Sequence, residues 1–383
     1  MKTSKILSAL LIGMTLTACS DVDICESKHP HEAEARFSFD FGSRETSKPD
    51  NMGVLAYRIV GQQKQLATVN TTTFKINNRD SLAIPVGEYR FYTLPLDDKE
   101  IDYSELDEFV NGNSIDRPIH SVGLTYRDYD ISDPDLRSKL TEWDDFNPYA
   151  KYMQADLKPL FYDSTQVINV ERDQQVQHTF HPSILTQNIE INFNIDKKSN
   201  GTEFMVDKVW AEISGVPKYI NISNCHLDIT QTAKVMFPVT LTAADNSEGD
   251  SFANKTLKCQ GNIDVTGLVN VQRGKGDTDN DVKRKIHGPG IMQVIIYGHA
   301  IDPVSGRTRH KKWQGIINLY EPIRRADLMY TSPDGSYSMR KKEAGVIDIN
   351  ARLTLDGEKI VSDAADDNGI GQWIPTVDIL LDI

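Results

Sequence analysis

Basic residues are in deficit along this chain: 42 lysines and arginines stand against 55 aspartates and glutamates, a formal charge of −13 over 383 residues. A surface of that sign repels phosphate backbones, so nucleic acid is excluded as an expected partner. No second long apolar run follows the one near the start, and no membrane-spanning helix is expected downstream of it. Cysteine is scarce, with Cys19, Cys25, Cys225 and Cys259 making up the whole set of 4. Catalytic signatures are missing as well: there is no His-Glu-x-x-His, Gly-x-Ser-x-Gly, Walker loop or Rossmann glycine pattern. The expectation is a protein that is not an enzyme and has no cofactor and no metal.

Candidate metal ligands come in incomplete sets. His29 and His31 would share one face of a strand, and His178 and His181 one side of a helical turn, but neither pair brings the further ligands a site needs. Asp277, Asp279 and Asp281 are spaced like the first ligands of a calcium loop, yet Val282 stands where that loop needs glycine and Gly288 where it needs glutamate. A solvated acidic loop is the simpler reading. Acidic pairs such as Asp97-Asp98, Asp144-Asp145 and Asp366-Asp367 are neighbours in sequence, which says nothing of the separation across a cleft that a glycosidase requires. The aromatic side chains Tyr126, Tyr129, Trp143, Phe146, Tyr149 and Tyr152 crowd into one stretch and read as packing rather than as a sugar platform.

What is present begins at the N-terminus. Lys2 and Lys5 precede an apolar run from Ile6 to Leu16, too short for a bilayer and right for a signal peptide. Leu16-Thr17-Ala18-Cys19 resembles the lipobox of bacterial lipoproteins, so residues 1–18 are expected to be removed and Cys19 to carry the lipid. The outer-membrane lipid then becomes the first expected partner. In an exported compartment Cys225 and Cys259 could pair as a disulfide across neighbouring strands, leaving Cys25 over.

Beyond a linker at 19–32 the chain alternates. Ala33, Ala35, Phe37, Phe39 and Phe41 fall on one face, with Glu34, Arg36, Ser38 and Asp40 on the other, the period of a half-buried strand. Similar segments recur at 54–60, 81–94, 166–170, 189–195, 206–213, 236–241, 257–265, 291–297, 314–319, 346–355 and 377–383. Only Asp135–Trp143 reads as a helix, with Pro134 suited to its first turn. Trp210 and Trp373, at or beside alternating segments, are expected to be mostly buried. Many short strands without intervening helices predict an all-β chain of antiparallel sandwiches. The length exceeds what one core usually serves, so two domains are expected, 33–182 and 183–383, divided near Pro182.

Lipobox, strand pattern and several phrases together resemble the fimbrillin-associated lipoproteins of Bacteroidetes, among them fimbrial anchors and minor pilins. The phrases are Asp23-Ile24-Cys25 with His29-Pro30-His31 running into Phe37-Ser38-Phe39, then Ile84-Pro85-Val86-Gly87-Glu88-Tyr89-Arg90, Val209-Trp210-Ala211-Glu212, and Gly369-Ile370-Gly371-Gln372-Trp373. The resemblance implies two tandem transthyretin-like β-sandwiches displayed at the cell surface, with Asp21 and Asp23 fitting an outer-leaflet sorting signal. It also implies a structural or adhesive role, as fimbrial anchor or accessory subunit, with pilin subunits as partners. In polymerising relatives cleavage after an arginine removes the first strand and a terminal strand from another subunit takes its place; Arg36 and Arg44 are the arginines in that region here. Val377, Ile379, Leu381 and Ile383 alternate as such a terminal strand would, although the same pattern serves a strand that completes its own domain. A glycan-binding surface lipoprotein is the alternative function.

Overall fold

In a computed structural model of the chain, residues 32–59, 69–75, 81–111, 118–129, 151–172, 174–198, 204–243, 256–269, 290–301, 304–356 and 359–362 are described. The expectations on Cys19, His29, His31, the 135–143 helix, the 277–281 loop, Trp373 and the 377–383 strand lie outside these residues.

The chain is all-β and built of packed, mainly antiparallel sheets. A three-stranded sheet runs, in spatial order, β11 (Gln175–Phe180), β1 (Glu32–Phe39) and β4 (Ser81–Pro85). It packs on a six-stranded sheet ordered β12 (Ser183–Ile184), β9 (Phe161–Ser164), β5 (Gly87–Leu94), β2 (Asn51–Ile59) and β3 (Val69–Lys75), with β10 (Ile168–Val170) also paired to β5. Between the two layers lie Ala33, Ala35, Phe37, Val54, Ala56, Ile84, Tyr89, Phe91, Val170, Val176 and Phe180.

The larger sheet is built mainly from residues 187 onward. Its nine strands run β19 (Thr308–Asn318), β18 (Ile291–Ile301), β14 (Phe204–Pro217), β16 (Thr232–Ala243), β17 (Leu257–Val265), β13 (Gln187–Lys198), β22 (Ala344–Asp356) and β23 (Lys359–Ser362), with β8 (Tyr152–Met153) added on β16. On β17 the alternation is complete: Leu257, Cys259, Gly261, Ile263 and Val265 are buried while Lys258, Gln260 and Asn262 are exposed. A small sheet of β6 (Ile101–Asp102), β7 (Gly123–Tyr126) and β15 (Tyr219–Asn221), a hairpin of β20 (Met329–Thr331) and β21 (Ser338–Arg340), and helices α1 (Ser104–Asn111) and α2 (Tyr320–Ala326) complete the described elements.

Strand β2 shows why these layers hold together. Met52 through Tyr57 are buried without interruption, because the two faces of the strand meet different cores. Val54 and Ala56 face the layer of β1, whereas Leu55 and Tyr57 belong to the large core that also holds Ile189, Val209 and Phe237. Helix α1 covers part of that second face, its Phe109 ring stacked 6.3 Å from Tyr57. Segments on either side of residue 182 also pair directly: β7 with β15, and β8 with β16. Beside the latter, the Tyr152 hydroxyl donates to the buried Glu212 carboxylate at 2.6 Å and Lys234 reaches the same group at 2.5 Å. Lys218, itself largely buried, pairs with Asp128 at the same junction.

One expectation needs correction. Cys225 and Cys259 are free thiols, not a disulfide. Cys225 occupies a left-handed turn position, φ 58°, beyond β15, where burial pushes its thiol up to about 12. Cys259 sits in the body of β17 opposite Phe193 and Leu241, its thiol also raised by burial. Trp210, expected to be mostly buried, is so without joining the core: Val209, Ala211 and Ile213 take the core face of β14, and the alternation turns the indole to the other side. Among the described residues the fully buried tryptophan is Trp313 on β19.

Candidate functional site

The first strand is the element whose setting bears most on function. Strand β1 is paired on both sides: Glu34–Phe39 run parallel to Gln175–Phe180, and Glu32–Arg36 run antiparallel to Ser81–Pro85. Its alternation, legible in the sequence, sets Ala33, Ala35 and Phe37 into the core and leaves Glu34, Arg36 and Ser38 on the outer face. The strand therefore fills a groove whose walls are β4 and β11 and whose floor is β2, β5 and β10.

The groove is strongly aromatic. Phe37 lies with its ring 5.0 Å from Phe91 and 5.5 Å from Phe180, and Tyr89 stacks on Phe91 at 5.8 Å. The alanines above these rings explain how a strand fits over so bulky a floor. Phe39 stacks on Phe180 at 5.6 Å as the strand leaves the groove, and Phe41 caps its end edge-on against Phe161 at 5.1 Å. Gly87, at the start of β5, has φ +151°, and a Cβ there would meet the Arg58 guanidinium at 2.7 Å. A bend at Val86 and this positive φ carry the chain from β4 into β5, and Tyr89 returns to the interior, 1% exposed.

The outer face is polar and locally satisfied. Arg36 donates to both oxygens of Glu34, at 3.0 and 3.2 Å, and Gln175 donates to Glu34 from the neighbouring strand at 3.1 Å. Hydrogen bonds from Ser81, then Arg36, hold the Glu34 carboxyl below its ordinary range. Ser38 and Thr179 share a hydroxyl contact of 2.8 Å across the parallel pair. Such pairs fix register rather than contribute much stability at an exposed face.

After the strand comes a 3-10 turn, Gly42–Ser47, holding Arg44. The Arg44 N–H donates to the Phe41 carbonyl at 3.0 Å, and the Arg44 carbonyl accepts from the Ser47 hydroxyl at 3.1 Å. Its guanidinium reaches Glu343 at 2.5 and 3.3 Å, tying this turn to the segment ahead of β22. Arg36 lies inside the doubly paired strand and Arg44 inside this turn, so neither is in an open, extended segment.

The other candidate side chains are scattered. His178 is on extended β11, edge-on to Phe180 at 4.8 Å, with burial lowering its pKa; His181 lies 3.4 Å from Asp40. They do not share a helical turn. Among the described residues no group of three or more His, Cys, Asp or Glu side chains could hold a metal ion. Tyr126 and Tyr152 are buried, as packing requires, though in the large common core or against Glu212 rather than in a separate one. Trp143, Phe146 and Tyr149 lie outside the described residues.

No family model matches the chain, and no curated protein matches it. Among solved structures it is similar to a candidate adhesin from Bacteroides ovatus, with TM-score 0.42 and 9% identity over 85% of this chain and 93% of that one. It is similar also to the fimbrial anchor protein Mfa2 from Porphyromonas gingivalis, with TM-score 0.39 and 10% identity over 90% of this chain and 100% of that one. A third is a candidate polysaccharide-binding protein from Bacteroides thetaiotaomicron, with TM-score 0.35 and 12% identity over 87% and 95% of the two chains.

Proposed function

We propose that this protein is a surface-exposed lipoprotein, held to the outer membrane by a lipid on Cys19, that serves as a structural or adhesive component of a fimbrial system, as its anchor or an accessory subunit. The observation that carries this reading is the setting of β1. The linker of residues 19–32 reaches at most ~50 Å at about 3.3–3.6 Å per residue, and it leads directly into a strand paired on both sides. Tension arriving along such a linker acts along the strand, and the hydrogen bonds of two ladders must then yield together rather than one after another. That is the geometry a tethered, mechanically stressed component needs. The two sandwiches, 33–182 and 183–383, would divide near Pro182.

Assembly would use strand addition. A groove closed by Ala33, Ala35 and Phe37 is complementary to any extended segment with a matching apolar row, because backbone groups on both walls supply register-independent pairing while pockets select side chains. Val377, Ile379, Leu381 and Ile383 form such a row, and this segment is the proposed donor to a pilin or accessory partner. The settings of Arg36 and Arg44 favour a member that keeps its first strand, as an anchor would.

Lipidation is the testable premise. Replacing Cys19 by alanine removes the thiol that would be alkylated, so the variant is expected to incorporate no labelled fatty acid and to leave the membrane fraction. Fatty-acid labelling equal to that of the parent chain would remove the tether from this reading.

A further inference from the structure

The β20–β21 hairpin carries an aromatic surface that the strand site does not use. Tyr330 and Met339 stand opposite each other across the hairpin and are 38% and 37% exposed. The Tyr337 ring lies 6.4 Å from that of Tyr330, the two planes inclined by 48°, and is stacked on the His226 imidazole at 3.7 Å with those planes 3° apart. Burial lowers the pKa of His226, which favours its uncharged form. Four side chains from two segments thus form one apolar, aromatic patch.

The patch is held in shape from beneath. Ser338 exchanges backbone hydrogen bonds with Leu227, at 2.7 and 3.1 Å, which fastens the hairpin to the segment bearing His226. Across the hairpin the Thr331 and Ser338 hydroxyls meet at 2.9 Å. In the turn, Gly335 takes φ 71°, and the Ser332 and Asp334 side chains accept from the Ser336 N–H at 3.0 and 3.1 Å. Rings fixed in this way lose little freedom when something packs on them.

Its size and chemistry choose among occupants. A stable protein interface takes about 800 Å² and some 20–30 residues from each partner; this patch is a few side chains on one hairpin. A sugar ring presents a flat face of C–H groups for an aromatic platform and a rim of hydroxyls for polar neighbours. Here the exposed phenol of Tyr330 supplies a polar group, and the exposed turn residues Asp334 and Ser336, bonded to each other, precede Tyr337 in the chain.

We propose that the face formed by Tyr330, Tyr337, His226 and Met339 is a carbohydrate-binding surface that stacks a neutral saccharide ring on Tyr330, with the inclined Tyr337 ring flanking it. This goes beyond the strand-based reading and does not depend on it: a chain that assembles normally could fail here, and a chain without its lipid keeps the surface intact.

The test uses the detergent-solubilised mature protein on an array of plant, fungal and mucin-type oligosaccharides, with the strongest ligand then titrated calorimetrically. Tyr330→Ala and Tyr337→Ala are each expected to weaken binding at least tenfold, and Tyr330→Phe to stay within threefold of the parent. Because Tyr330 is exposed, Tyr330→Ala should melt with the parent chain, so its loss of binding is not a loss of folding. An array with no bound oligosaccharide, or binding unchanged by Tyr330→Ala, would overturn the proposal.

Discussion

Replacing Phe37 with alanine should lower the unfolding free energy by about 3–5 kcal/mol, the usual cost of truncating a buried phenylalanine. The ring is 5% exposed and wedged between Phe91 and Phe180. Little can collapse into the space it leaves, because its neighbours along the inner face of β1 are already small, Ala35 directly and Ala33 beyond it. Pairing with His178 of β11 at Phe37 itself, and with β4 up to Arg36, opposes an inward swing of the backbone. Arg36→Ala, one residue away on the exposed face, removes only a surface pair with Glu34 and should change stability by no more than about 1 kcal/mol. Urea denaturation of the two variants separates these outcomes. Equal, small effects would mean that β1 lies on the sandwich without filling a groove in it.

Trp313→Ala should cost a similar amount, about 3–5 kcal/mol, in the larger sheet. The indole is 0% exposed and sits on β19 opposite Ile296. The next strand makes room for it: a Cβ on Gly298 would come within 2.8 Å of the indole and 2.2 Å of the Met205 carbonyl. Ring and glycine are therefore one packing unit, and removing the ring opens a void that a strand held by full pairing along β18 cannot close. Tryptophan fluorescence should change with the unfolding transition in the parent chain, and the transition of the variant should shift to lower denaturant. A variant as stable as the parent would contradict the packing described for β18 and β19.

Strands are legible in the sequence wherever one face meets a core and the other meets solvent. Leu257–Val265 is found where the alternation puts it, and β1 differs only at its end, where Phe41 leaves the strand for the 3-10 turn. Shorter pieces are not legible, because two to four residues carry no period; β6, β7 and β15 hold together through their partners. Helix α1 hides in a polar stretch, since only Leu106 and Phe109 of its eight residues are buried. Cysteine spacing misleads for a related reason: position along the chain does not report that Cys225 is in a turn while Cys259 is in mid-strand. The apolar neighbours of Trp210 suggest the mostly buried position it has, although its parity along β14 keeps it off the face of Val209 and Ala211. The aromatic hairpin is faint in the sequence beside the dense cluster at 126–152. Its signal is only two tyrosines flanking Ser332-Pro333-Asp334-Gly335-Ser336, a turn that brings them onto one face.

The groove beneath β1 is tested most directly by taking the strand out and offering it back. A chain beginning at Asp40 would be refolded alone and with a synthetic peptide of residues 31–39, then followed by thermal melting, with a labelled copy of the peptide reporting capture. The shortened chain alone should lose the cooperative transition of the first sandwich, and the peptide should restore it. A second peptide, residues 376–383, should displace the labelled strand if the terminal segment is the donor. A shortened chain that melts like the parent, or that ignores both peptides, would contradict strand addition at this groove.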